Sequence, residues 1–212
     1  MKTNPRIFPP RKVPLAATAA LLLVAGLIAG CKLLPIQPAK PDATRYYTLS
    51  APGPVASAPA APGPRLWIRR VDLPAYLEYK PFVTRVGPNE LRVVDEVRWG
   101  EPLDQGIAEV LRRRLEGLTG VYGMESRDAP RDYEVVIEVT NCEGEVGAAR
   151  GSVHFAAEIE LLKPGAGSTV IAHRSFTAEP AVWDGKDYAA LAQLLSRAVA
   201  DLGDAIVAAV PK

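Results

Sequence analysis

Residues 152–162 read Ser-Val-His-Phe-Ala-Ala-Glu-Ile-Glu-Leu-Leu, and they alternate between two faces with hardly a break. Val153, Phe155, Ala157, Ile159 and Leu161 fall on one side, and His154, Glu158 and Glu160 on the other. Strand side chains point to opposite faces with period two, so the stretch predicts a strand with one dry and one wet face. Residues 132–142 do likewise: Tyr133, Val135, Ile137 and Val139 oppose Glu134, Glu138 and Thr140. A third strand, 169–178, follows the Gly165-Ala166-Gly167 turn. Such half-wet strands predict an antiparallel sheet. Its dry face must be covered by another apolar layer.

Two stretches change period and supply that layer. From Glu101, the residues Leu103, Ile107, Val110, Leu111, Leu115 and Leu118 recur three or four apart, with Pro102 suited to the first turn and Gly120 to the stop. Residues 186–209 form a second amphipathic helix, with Leu191, Leu195, Ala198, Leu202, Ile206 and Ala209 in line. Arg112, Arg113 and Arg114 stand among Glu109 and Glu116, as on a solvated helix face. Further strands are predicted over 46–50, 65–71, 82–86 and 91–96, with residues 87–90 as a turn between the last two, and a short strand over 121–125. The expected fold is α+β, an antiparallel sheet with two long helices packed on one face.

The N-terminus has a different grammar. Lys2, Arg6, Arg11 and Lys12 precede an apolar run over residues 13–30, and Ala29 and Gly30 lead into Cys31. Basic residues, an apolar segment and a small-residue ending make a secretory signal. Small residues directly before a cysteine resemble the bacterial lipobox, which makes Cys31 the lipidation site and the first residue of the mature chain. Lys32 is not the aspartate that holds lipoproteins on an inner membrane, so by analogy the outer membrane is the expected address. Residues 31–44, with Pro35, Pro38 and Pro41, read as a lipidated tether; thirteen residues reach roughly 40–45 Å when extended. Residues 45–212 then form one domain, interrupted by a Pro/Ala-rich loop at 51–64.

Loss of the signal removes four basic residues and no acid, leaving 21 Lys and Arg against 24 Asp and Glu. A mildly acidic chain lacks the basic face of a nucleic-acid binder, so no nucleic-acid partner is expected. Cys142 is then the one remaining cysteine and reads as a small buried hydrophobe. The sequence has no glycine-rich phosphate loop, zinc-spaced Cys/His cluster or Gly-x-Ser-x-Gly. A hairpin centred on Ala166 would pair His154 near residue 178 and His173 near 159, too far apart to share a metal. The reading is of a non-enzyme with no catalytic residue, cofactor or metal.

Four segments occur in order: Tyr46-Tyr47-Thr48-Leu49, Leu73-Pro74-Ala75-Tyr76-Leu77, Val83-Thr84-Arg85 and Arg98-Trp99-Gly100-Glu101-Pro102-Leu103. Behind a lipobox, this series resembles the ABC-type transport auxiliary lipoprotein family. Tyr79-Lys80-Pro81 and Gly100 stand where that family commonly has Arg-Pro-Gln and alanine. The resemblance implies an outer-membrane lipoprotein facing the periplasm, held by acylated Cys31. It would act as a docking subunit for an MCE-domain protein of an intermembrane lipid transporter. The candidate contacts are the loop from Pro74 to Pro81, through Tyr76, Leu77 and Tyr79, and the excursion over residues 51–64. A ring of copies, a homo-oligomer, would multiply such a patch into avidity. Two other readings share the anchor and body: an assembly lipoprotein for lipopolysaccharide or secretion machinery, and a lipid-anchored hydrolase. Trp99 reads as a core plug leading into the first helix, with an interface residue as the alternative.

Overall fold

The two alternating stretches become the longest strands of the sheet. A computed structural model describes residues 42–51, 63–119, 130–147, 150–165 and 167–211. The chain divides into two units, Met1–Asp42 and Ala43–Lys212, and every strand and helix among the described residues belongs to the second. The strands are β1 (Arg45–Tyr47), β2 (Leu66–Asp72), β3 (Pro81–Gly87), β4 (Glu90–Trp99), β5 (Tyr133–Glu145), β6 (Gly151–Lys163), β7 (Thr169–Thr177) and β8 (Ala181–Trp183). The helices are α1 (Leu103–Thr119) and α2 (Tyr188–Ala209). The strand order is β1-β4-β3-β5-β6-β7, with β2 also on β5 and β8 also on β6.

The fold is α+β with both helices packed on the sheet, as the sequence predicts. The sheet itself is mixed. β5–β6, β6–β7, β6–β8 and β3–β4 are antiparallel, while β1–β4, β2–β5 and β3–β5 are parallel. Alternation reports which face of a strand is dry and is silent on the direction of its neighbour, so the crossover from β2 to β5 left no mark in the pattern. β5 is long enough to carry two neighbours on one edge: β2 lies along residues 133–138 and β3 along 144–145.

Every predicted inward residue of β6 is buried, as are Val135, Ile137 and Val139 of β5. They meet Ile107, Leu111 and Leu115 of α1 and Leu191, Leu195, Val199, Leu202 and Ile206 of α2 in one core. Trp99 belongs to this core, stacked on Phe82 at 3.9 Å between centroids. Asp187 caps α2, its side chain accepting from the Ala189 and Ala190 amides. The arginine run divides: Arg112 and Arg113 pair with Glu109 on the surface, whereas Arg114 makes a two-pronged pair with Asp204 of α2. That bridge stands where the helices approach so closely that a Cβ on Gly203 would lie 2.8 Å from Arg114 Cγ.

Three bulges re-aim side chains and were not anticipated. In β5 the register shifts between Val139 and Asn141, which turns Cys142 toward the core and Glu143 away from it. In β2 the shift falls between Ile68 and Arg70. In β4, Val93 pairs with Val83 but Arg98 with Pro81, so the chain loops outward between them, and Glu96 takes φ +57°. β8 was also unforeseen: it carries Trp183, whose ring covers Gly144 and Gly151. The predicted signal, Cys31, Lys32, all but the end of the tether, the middle of the 51–64 loop and the strand at 121–125 lie outside the described residues. Among the described residues no helix is long and apolar enough to cross a membrane.

Candidate docking site

The chain leaves β2 through Leu73 and Pro74, makes one 3-10 turn over Ala75–Leu77 and returns through Tyr79 and Lys80 to β3. Proline at the head of the turn presets its first dihedral, and the Leu77 amide closes it on the Pro74 carbonyl at 2.8 Å. The three residues expected at an interface have different fates. Leu77 is buried in the core, Tyr76 is half-buried, and Tyr79 stands 69% exposed. Leu77 therefore holds the loop down and offers no surface to a partner.

Tyr76 is held by a charge. Its hydroxyl donates to Glu143 Oε2 at 2.9 Å, and the Cys142 amide donates to the same oxygen. Glu143 Oε1 accepts from Arg85 Nε and Nη2 at 2.9 and 2.7 Å and from Asn141 Nδ2 at 3.2 Å. The Glu143 side chain is 0% exposed, so both carboxylate oxygens are satisfied out of water, the condition under which a buried charge is tolerated. Burial and the Glu143 carboxylate push the Tyr76 phenol well above its ordinary value. The hydrogen bonds to Glu143 raise Arg85 in turn. At neutral pH the tyrosine is a neutral donor, as the geometry requires.

The loop enters β3 at Pro81, two strands across the sheet from β1. Tyr46, Arg98 and Pro81 form one row across β1, β4 and β3, and Tyr46 is 61% exposed. Arg98 sends Nη1 to the carbonyls of Val94 and Val97, both at 2.9 Å, pinning the β4 bulge. The Trp99 amide donates to Lys80 O at 2.7 Å, tying the loop to the sheet. Tyr46 and Tyr79 are both exposed, and the backbone that follows Tyr79 is fixed to the sheet at Lys80. Sequence reasoning missed Tyr46 and Glu143. The one available signal for Glu143 was the polar pair Thr140-Asn141, which breaks the alternation of β5.

A serine, a histidine and a glutamate also converge, on β5 and β6. Ser152 Oγ lies 2.9 Å from His154 Nε2, and Glu145 Oε2 lies 2.7 Å from the same nitrogen. A hydrolytic triad uses the two ring nitrogens for different partners, one for the nucleophile and one for the orienting acid. Here both share Nε2, so the trio is not wired as a triad. His173 lies apart, opposite Glu160 on β7.

The domain thus shows exposed Tyr46 and Tyr79, with the loop that carries Tyr79 anchored by a buried ion pair. Residues 47–207 match the family described as ABC-type transport auxiliary lipoprotein component, and the chain belongs to that family. It is therefore a transport accessory lipoprotein. A solved protein of Xanthomonas campestris, XCC0632 of the DUF330 family, superposes with TM-score 0.64 at 22% identity, covering 77% of this chain and 93% of that one. A second solved structure, of an uncharacterised protein, gives TM-score 0.62 at 20% identity over 78% of this chain and 97% of its own. At these identities the likeness shows the fold. No curated protein matches the chain.

Proposed function

We propose that the chain is an outer-membrane lipoprotein, acylated at Cys31 and facing the periplasm. In this reading it docks an MCE-domain protein of an intermembrane lipid transporter through the Tyr79 loop. The observation that supports the reading is the exposure of Tyr79 on a turn whose neighbours Tyr76 and Leu77 are fixed, one to a buried carboxylate and one in the core. Anchoring aromatics in an interface typically cost about 2 kcal/mol or more when truncated. A rigid loop loses little entropy on binding, which leaves more of the contact energy as affinity.

Capture of the MCE-domain partner from detergent-solubilised envelope, with the full chain as bait, tests this. Tyr79→Ala is expected to weaken capture about 30-fold, the equivalent of about 2 kcal/mol, with the thermal midpoint unchanged. Leu77→Ala is the contrasting variant, destabilising the fold by about 2–5 kcal/mol. Undiminished capture by Tyr79→Ala with an intact fold would move the interface elsewhere. Cys31→Ser should abolish labelling by a palmitate analogue, and Lys32→Asp should shift the protein to inner-membrane fractions.

A further inference from the structure

On the sheet face away from the helices, a cleft of about 460 Å3 opens where β2 and β5 begin. Trp67, Arg69, Arg70, Arg131, Glu134 and Ser168 line it. The volume falls in the range of small-ligand sites, about 300–1,000 Å3. Three of the eight lining residues are arginines, in a chain whose charges nearly balance, 25 Lys and Arg against 24 Asp and Glu.

The bulge in β2 builds this cluster. Leu66 and Ile68 face the core, and in a regular strand one of Arg69 and Arg70 would face it too. The extra residue keeps both arginines outward, on the side of Trp67. Re-aiming side chains is a recurrent use of bulges. Glu134, pairing with Trp67 across the ladder, has a side chain only 5% exposed and acts as the floor. Arg131 Nε donates to Glu134 Oε1 at 2.7 Å, and its guanidinium lies 4.3 Å from the Trp67 ring centroid. Arg69 reaches Glu134 Oε2 at 3.4 Å and Ser168 Oγ at 3.5 Å, both through Nη1 and both at the limit of hydrogen bonding. Among the described residues its Nε and Nη2 have no partner. Arg70 is tied to Asp72 through Nε.

We propose that this cleft binds a phosphate group, either as the free ion or as the phosphodiester of an anionic lipid head group. Arginine forks match phosphate oxygens in bidentate fashion. The under-used fork of Arg69, the Ser168 hydroxyl and the second outward arginine supply donors from three side chains that line the cleft. Glu134 fixes two guanidinium groups without saturating Arg69, and the Trp67 ring gives an apolar wall for atoms attached to the phosphate. The proposal stands apart from the docking reading and survives its failure.

The full chain, purified in non-ionic detergent at about 0.15 M salt to screen diffuse attraction, is titrated with two probes. One is inorganic phosphate and the other dihexanoylphosphatidylglycerol below its micellar concentration. Binding is read by calorimetry and by tryptophan fluorescence, which reports Trp67 because Trp99 and Trp183 are buried. Saturable binding is expected, weakened about tenfold or more in Arg69→Gln and in Arg70→Gln. Should one variant fail to fold, the other carries the test. Tighter binding of the lipid assigns the site to head groups, and equal binding assigns it to the free ion. No saturation by either probe at about 10 mM, an affinity too weak for a site, overturns the proposal. So does unchanged affinity in folded variants.

Discussion

Glu143→Gln is the sharpest perturbation of the loop anchor, because it keeps the shape and removes the charge. The carboxylate now accepts five hydrogen bonds: three on Oε1, from Arg85 Nε and Nη2 and from Asn141, and two on Oε2, from Tyr76 and the Cys142 amide. A glutamine amide has one oxygen and one NH2 group. With its oxygen toward Arg85, the NH2 faces the Cys142 N–H, donor against donor. With its oxygen toward Cys142, the NH2 faces two guanidinium donors. Either way a buried donor is orphaned and Arg85 loses its counter-charge. Breaking a buried ion pair from one side costs about 3–5 kcal/mol. At about 2–4 °C per kcal/mol for a domain of this size, the thermal midpoint should fall by roughly 6–20 °C. Circular dichroism melting reads the midpoint, and hydrogen exchange should show lost protection at residues 75–80 before the rest of the sheet. A fall of less than about 2 °C would mean that the network does not form in solution, and the account of how Tyr79 is positioned would go with it.

Gly144→Ala should cost about 1–3 kcal/mol by overpacking, because its Cβ would lie 2.6 and 2.8 Å from Trp183 ring atoms; urea midpoints measure this, and Trp183→Phe in the same chain should recover part of the loss. Acid should destabilise the domain in a defined window. Hydrogen bonds from Arg65 and Arg112 hold Asp132 and Glu109 at about 2, below their ordinary 3.8 and 4.5. Carboxyls lowered in the folded state contribute fully above about pH 4.5 and lose that contribution as pH falls toward 2. Urea midpoints across this range should drop, and Asp132→Asn with Glu109→Gln should flatten the slope; parallel slopes would contradict the assignment.

Much of the architecture was legible because one face is dry. The alternation of Val153 to Leu161 had to place those residues inward, and the three-and-four spacing of Leu103 to Leu115 had to form a helix over them. Parallel pairing was not legible, since it depends on which distant strand arrives at an edge. Bulges escaped for a related reason: each adds a residue whose effect appears only as a change of phase, and Arg69-Arg70 or Thr140-Asn141 read in sequence as ordinary polar pairs. Tyr76, Leu77 and Tyr79 are adjacent in sequence, yet the 3-10 turn sends Tyr76 to a carboxylate and Leu77 inward, and the chain leaving it carries Tyr79 to solvent. Glu134 was read as a wet-face residue because the strand pattern cannot show that Arg69 and Arg131 cover it.

The buried carboxylate raises a question that stability cannot answer. Replacing a buried ion network by apolar residues of similar volume is often neutral or stabilising, so tethering a 3-10 turn to Glu143 is not the most stable solution open to this fold. The network does supply direction: five hydrogen bonds from four residues admit one placement of Tyr76, and Tyr79 is three positions along the same loop, just past the turn. Apolar packing alone would hold the turn down through Leu77 while letting it rock. On the docking reading, the variant Tyr76→Phe, Arg85→Leu, Glu143→Met removes every charge of the network but leaves the buried Cys142 amide without its acceptor, at a cost of about 1–3 kcal/mol; it should therefore stay folded and still lose affinity for the MCE-domain partner. The loss should approach the effect of Tyr79→Ala itself. Capture at parental strength by this folded triple variant would show that the charge network has no part in positioning the loop, whatever Tyr79 contributes.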